Sequence, residues 1–143
     1  MKVVIQRVKE ASVSYEDIKN EIKQGVVVLV AFTNGDDEKK INYMIDKIIN
    51  LRIFDDENGV MNKSVLDIKG QILSIPQFTL YGDCKKGRRP SYVDALEPKE
   101  AEKLYTEFNN SLHSKIKTKT GKFGAEMTVK IINEGPVTII IER

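Results

Sequence analysis

The run Met127-Thr128-Val129-Lys130-Ile131-Ile132-Asn133-Glu134-Gly135-Pro136-Val137-Thr138-Ile139-Ile140-Ile141 would read as one long β-strand but for the Gly-Pro pair inside it. Proline has no N–H for a ladder, and glycine has no side chain to pack. The pair must therefore be a turn, a bulge or a backbone feature turned toward a ligand. Local sequence favours the turn, because Gly and Pro are turn residues and apolar runs flank them. The chain is then expected to finish in two strands, about 124–133 and 136–142, joined at Gly135-Pro136.

The rest of the chain alternates between two periods. Residues 2–9 and 22–32 are rich in Val and Ile and read as strands, the second closed by Asn34-Gly35. From Asp36 the period changes: Ile41, Met44, Ile45, Ile48 and Ile49 form the stripe of an amphipathic helix, with Asp36, Asp37 and Glu38 in its first turn. Asn58-Gly59 marks a turn, 71–75 a further strand, and 82–96 a polar loop. Pro98 opens a second helix whose buried face is Ala101, Leu104, Tyr105, Phe108 and Leu112. The order β-β-α-β-β-α-β-β holds too few βαβ units for a doubly wound fold. It fits an α/β chain of α+β type: a mixed, largely antiparallel curved sheet, barrel-like, with two flanking helices.

A chain of 143 residues without linker, repeat or low-complexity stretch suits one domain spanning 1–143. With 41% hydrophobic and 31% charged residues it is a globular sequence, and no apolar run reaches the roughly 20 residues of a membrane span. The start, Met-Lys-Val-Val-Ile-Gln-Arg, has no secretory h-region, so a cytoplasmic location and no membrane partner are expected. One cysteine, Cys84, excludes an intrachain disulfide. With one histidine, His113, it also excludes a Cys/His zinc centre, and no metal or cofactor is expected. Net charge is only +2, but the basic residues cluster: Lys85, Lys86, Arg88 and Arg89 around Gly87, and Lys115, Lys117, Lys119 and Lys122. Such clusters are either solvated surface or a phosphate-backbone footprint.

The strand at 71–75 runs into Pro76-Gln77-Phe78-Thr79-Leu80. No nucleophile elbow, glycine-rich phosphate loop or dinucleotide fingerprint is present, and the lone histidine lies far along the chain. The Thr79 hydroxyl has no evident base, so hydrogen bonding or packing suits it better than nucleophilic attack. Gln77 cannot act as a base and is suited to orientation. Phe78 is either a core residue or a stacking surface for a base. Arg7, among apolar strand residues, either braces another segment or forms an exposed ion pair.

Both segments, with Gln6-Arg7-Val8, Asn50-Leu51-Arg52-Ile53-Phe54, Met61-Asn62 and Gly87-Arg88-Arg89-Pro90-Ser91, resemble the D-aminoacyl-tRNA deacylase family. Its members carry Ser-Gln-Phe-Thr-Leu followed by Asn-X-Gly-Pro-Val-Thr, and the resemblance runs colinearly over nearly the whole chain. Pro76 stands where the family has serine, so neither a hydroxyl nor a main-chain N–H is available there. The resemblance implies a homodimer that hydrolyses the ester of D-aminoacyl-tRNA, and of mischarged glycyl-tRNA, with help from the terminal ribose 2′-hydroxyl. The backbone of Gln77, Phe78 and Thr79 would line the ester. Gly135-Pro136, with a cis bond, would reach into the other subunit and reject L-amino acids. Arg7, Pro76, Asn133, Val137 and Thr138 would support these segments, and Lys85, Lys86, Arg88 and Arg89 would hold the tRNA; no DNA partner is implied. Two other readings stay open: a non-catalytic RNA-binding or translation-associated module, and a relative turned toward L-alanyl or glycyl esters.

Overall fold

A computed structural model describes residues 1–143. The first strand organises the sheet. β1 (Lys2–Tyr15) is antiparallel along one edge to β3 (Gly25–Ala31) and then to β2 (Ile18–Ile22). Its other edge pairs with β8 (Thr128–Glu142) over nearly its full length. A small separate ribbon pairs β4 (Phe54–Asp55) with β5 (Met61–Lys63) around the Asn58-Gly59 turn. β6 (Gln71–Pro76) is parallel to β3, and β7 (Thr118–Thr120) is parallel to β6. The sheet curls until β2 meets the far side. Asn20 Nδ2 donates to Thr120 O at 2.8 Å, and Gln71 N–H donates to Gln24 O at 3.1 Å. The result is the mixed, nearly closed sheet with two helices that the sequence suggests.

Strand alternation divides the core in two. Val3, Ile5, Val26, Val28, Val30 and Ile72 face the helices, where they meet Ile41, Met44, Ile45, Ile48 and Phe108. Val8, Ala11, Val13, Ile22, Val27, Leu73 and Ile75 fill the inside of the curl. α1 (Glu38–Asn50) buries the whole stripe read from its period. α2 (Pro98–His113) starts at Pro98, with the Glu97 carboxylate capping the N–H groups of Lys99 and Glu100, and buries Ala101, Tyr105, Phe108 and Leu112. Leu104 is only half-buried. Phe32 meets Phe108 edge-on at 6.4 Å and ties the sheet to α2.

Four expectations are corrected. β1 runs on to Tyr15, because Ala11 and Val13 alternate into the inner core. The stretch 22–32 is interrupted by a bend at Lys23-Gln24, and β2 and β3 continue along the same edge of β1 in one register on either side of it. Asp36 lies outside α1: Asp37 is its cap, and the buried Asp36 carboxylate instead receives the Met1 ammonium at 2.6 Å and Thr33 N–H at 2.8 Å. Finally, Gly135-Pro136 is not a turn between two strands. Both halves of β8 pair with the same edge of β1 in the same direction, Gln6 opposite Thr138 and Val8 opposite Asn133. Residues 134–137 leave the ladder opposite Arg7 and return to it, a four-residue excursion within one strand.

Candidate active site

β6 ends at Pro76, beside Val30 of β3, and Gln77 N–H completes that edge by donating to Val30 O at 2.8 Å. On the other edge the pairing with β7 stops at Ser74, whose carbonyl accepts from Gly121 N–H at 2.8 Å. A proline is therefore tolerated at 76, where β7 no longer asks for a donor. The chain then tightens into a 3₁₀ turn, Phe78–Tyr81. The first N–H groups of such a turn have no acceptor within it, so Phe78 and Thr79 open a backbone donor site.

Beside this turn lies a mostly apolar cleft of about 620 Å³. Pro76, Gln77 and Phe78 form one wall, Tyr92 and Leu96 a second, and Phe123, Ala125 and Met127 a third; Glu97 and Pro98, where α2 begins, also line it. The Phe78 ring is 57% exposed and meets Tyr92 edge-on at 5.1 Å. It is thus a rim residue with a free aromatic face. Gln77 Nε2 donates to Thr79 Oγ1 at 2.5 Å. That hydroxyl is held by an amide, and no basic group touches it. His113 is exposed at the far end of α2. Tyr105 stands behind the cleft, its hydroxyl donating to Ser74 O at 3.0 Å and Gly121 O at 3.3 Å. Burial pushes its phenol up to about 12, so near neutral pH it is only a hydrogen-bonding brace.

The Gly135 excursion is pinned from behind. Arg7, 8% exposed, donates through Nη1 to Ile53 O at 2.8 Å and through Nε to Glu134 O at 3.3 Å. Asn133 spans the neck, its Nδ2 reaching Arg7 O at 2.8 Å and Val137 O at 3.0 Å. It supplies the donor that the broken ladder no longer provides at those carbonyls. Thr138 joins the other side, accepting from Gln6 Nε2 at 3.3 Å. Gly135 has φ +119°, and a Cβ there would stand 2.9 Å from Val137 Cγ2 and 3.2 Å from Arg7 Nη2. Only glycine fits. The Gly135–Pro136 bond is cis, and both residues face solvent.

The two motifs are not brought together within one chain. Pro76, Val30, Val3 and Ile141 share one row across the sheet, whereas Arg7 marks a row four residues away. Three strand spacings and four residues of rise put Pro76, and the motif it begins, roughly 20 Å along the sheet from Gly135. The basic loop, in contrast, adjoins the cleft. A bridge between Asp83 and Ser91 closes its base, Gly87 turns its tip at φ +71°, and Tyr92, just past the bridge, is a cleft wall. Lys85, Lys86, Arg88 and Arg89 are all exposed. Sequence reasoning missed Tyr92, Leu96, Phe123, Ala125 and Met127 as cleft walls. The one signal was an aromatic residue, Tyr92, in an otherwise polar loop.

Comparison with known proteins gives the chain its class. The family model described as D-Tyr-tRNA(Tyr) deacylase matches residues 4–142. Relatives named D-aminoacyl-tRNA deacylase from Bacillus cereus (strain AH187) and Bacillus anthracis (strain A0248) are each 55% identical over 144 residues, covering 99% of either chain. A solved structure described as a c-Myc DNA Unwinding Element Binding Protein superposes with TM-score 0.94 at 40% identity, over 100% of this chain and 99% of the other. A second, described as a probable eukaryotic D-amino acid tRNA deacylase, shares the fold at TM-score 0.84 and 18% identity, over 98% and 97%. The class so defined is that of the aminoacyl-tRNA deacylases, which are hydrolases. Within it, the chain belongs to the D-Tyr-tRNA(Tyr) deacylase family.

Proposed function

We propose that the chain edits aminoacyl-tRNA by hydrolysing the ester of D-aminoacyl-tRNA, in a cleft that a second copy of the chain completes. The observation that carries the activity is the 55% identity to deacylases over the full length, with both motifs in place. It favours an enzyme over a non-catalytic RNA-binding module. Intact Phe78 and Gly135-Pro136-Val137-Thr138 favour D-substrates over a shift toward L-alanyl esters, and glycyl esters, which lack a side chain to reject, fit the same site.

The cleft offers position rather than a strong base. The terminal adenine stacks on the free face of Phe78 or Tyr92 at the rim, as unpaired bases do on aromatic side chains. The scissile carbonyl then lies over the start of the 3₁₀ turn. Gln77 N–H is already committed to Val30 O, so the N–H groups of Phe78 and Thr79 are the oxyanion donors. Water adds to the ester carbonyl, the ribose oxygen leaves, and the vicinal 2′-hydroxyl, which both donates and accepts, orients that water. Free tRNA and the amino acid are the products.

Two features support a homodimer. Gly135-Pro136 is too far from Gln77 in one chain to act at its cleft, but it is rigidly braced and turned outward. β8 is also an unpaired edge with exposed Ile132 and Ile140, a surface that calls for cover. In the partner's cleft the Gly-Pro backbone would crowd the side of Cα from which an L side chain projects, and a D side chain would point away. Selectivity then arises from a clash against the wrong enantiomer. The basic loop beside the cleft would hold acceptor-stem phosphates, and the cytoplasm, where tRNA is charged, is the expected location. Ester loss from D-Tyr-tRNA and L-Tyr-tRNA tests the proposal. Hydrolysis of the D-ester alone is expected; equal hydrolysis of both, or of neither, rejects it.

A further inference from the structure

β7 carries a row of cations that the cleft itself does not use. From Ile116 to Thr120 the chain alternates, with Ile116 and Thr118 buried and Lys117 and Lys119 exposed; exposed Lys115 precedes them in the turn after α2. None of these three lysines enters an ion pair, whereas neighbouring Lys122 is tied to Glu16 at 2.6 Å and Lys19 to Glu21 at 2.7 Å. Glu16 and Glu21 are thus already engaged by other lysines, and the β7 lysines are left without an acidic partner.

The row points at the cleft. β7 leads into Gly121, where a Cβ would stand 3.4 Å from Pro76 Cδ and 2.7 Å from Met127 Sδ, and then into the wall residue Phe123. Lys117 O accepts from Ile72 N–H at 3.0 Å, four residues before Pro76. At strand spacing, Lys117 and Lys119 are about 7 Å apart, and Lys117 lies about 13 Å from the motif. The basic loop stands on the Tyr92 side of the cleft and the β7 row on the Phe123 side, so cations flank it on two sides.

We propose that Lys115, Lys117 and Lys119 form a second phosphate-binding track, which holds the RNA backbone of the substrate behind its 3′ end. This rests on the proposed tRNA substrate. A nucleic-acid backbone fits because the track is a line of unpaired cations at extended-chain spacing with no aromatic residue or acceptor for base edges. It therefore reads charge and not sequence.

The test compares wild type with K115Q/K117Q/K119Q on uncharged tRNA, D-Tyr-tRNA and 2′(3′)-O-D-tyrosyladenosine, which ends at the terminal nucleoside. Binding of uncharged tRNA across a salt titration should weaken, with the slope of log K against log salt reduced by about 0.9 for each duplex phosphate that the variant no longer neutralises. KM for D-Tyr-tRNA should rise about tenfold with kcat unchanged, because phosphate contacts position the RNA and take no part in the chemistry. Hydrolysis of D-tyrosyladenosine should match wild type, which also certifies the fold. An unchanged salt slope overturns the track whether or not the protein hydrolyses any ester. So does a variant that binds tRNA normally but self-associates, since the lysines would then only guard a sheet edge. Failure of wild type to hydrolyse either ester would instead reject the proposed activity, a result read independently of the binding slope.

Discussion

Arg7 Nε donates to the main-chain carbonyl of Glu134 at 3.3 Å, and Glu134 is the last residue before the Gly135-Pro136 pair. The same guanidinium reaches Ile53 O at 2.8 Å, so one side chain fastens the excursion of β8 to the segment after α1. Replacing Arg7 with alanine leaves two carbonyls without their charged donor. Stability should fall by about 2–3 kcal/mol in urea unfolding. Arg7→Lys restores the charge but not the fork that serves both carbonyls at once. It should recover much of the stability while the ratio of D- to L-Tyr-tRNA hydrolysis stays reduced. A lysine variant with the wild-type ratio would show that charge alone suffices.

Gly135→Ala puts a methyl group 2.9 Å from Val137 Cγ2 at a φ of +119° that L-residues rarely adopt. The excursion must shift. A displaced excursion no longer crowds an L side chain in the proposed partner cleft. Single-turnover hydrolysis should show the ratio of D- to L-Tyr-tRNA rates reduced by about tenfold or more, with the helical circular dichroism intact. A wild-type ratio would mean that the excursion does not discriminate.

Thr79→Ala removes the hydroxyl that Gln77 holds at 2.5 Å. No base stands beside it, so activity should remain within about tenfold of wild type. A 2′-deoxy terminal adenosine in the substrate should cost far more. If Thr79→Ala were dead and Thr79→Ser active, the hydroxyl would be the nucleophile and the RNA-assisted mechanism would fall.

Replacing Lys85, Lys86, Arg88 and Arg89 with alanine should weaken tRNA binding and flatten its salt dependence by about 0.9 per duplex phosphate left without its cation. The rate at saturating tRNA should change little, since none of the four enters the cleft. An unaltered salt slope would return the loop to solvated surface.

The helices were legible because their information is local. The stripe Ile41-Met44-Ile45-Ile48-Ile49 and the Pro98 start need only the 3.6-residue period and one capping rule. The motifs were legible as residues, but their relation in space was not. Whether Gly135-Pro136 is a turn or an excursion depends on which edge of β1 receives the two halves of β8. That pairing joins residues more than a hundred positions apart, as Val8 and Asn133 do. Asp36 stays out of α1 for a reason of the same kind: its partner is the Met1 ammonium, and nothing near Asp36 in sequence announces it. Phe123, Ala125 and Met127 could not be read in advance because a cleft wall is defined by what stands opposite.

β8 pairs only with β1, and the hydrogen bond between Arg7 and Glu134 closes a span of 127 residues. Long-range strand pairing of this kind is slow to form, because the chain must be ordered before the pairing can repay it. The 134–137 excursion is therefore expected to order late, after the local helices and the β1–β3 pairing. Amide exchange at Glu134, Gly135 and Val137, followed during refolding, would time that ordering and, under the proposed function, the moment at which a cleft acquires its stereochemical judgement.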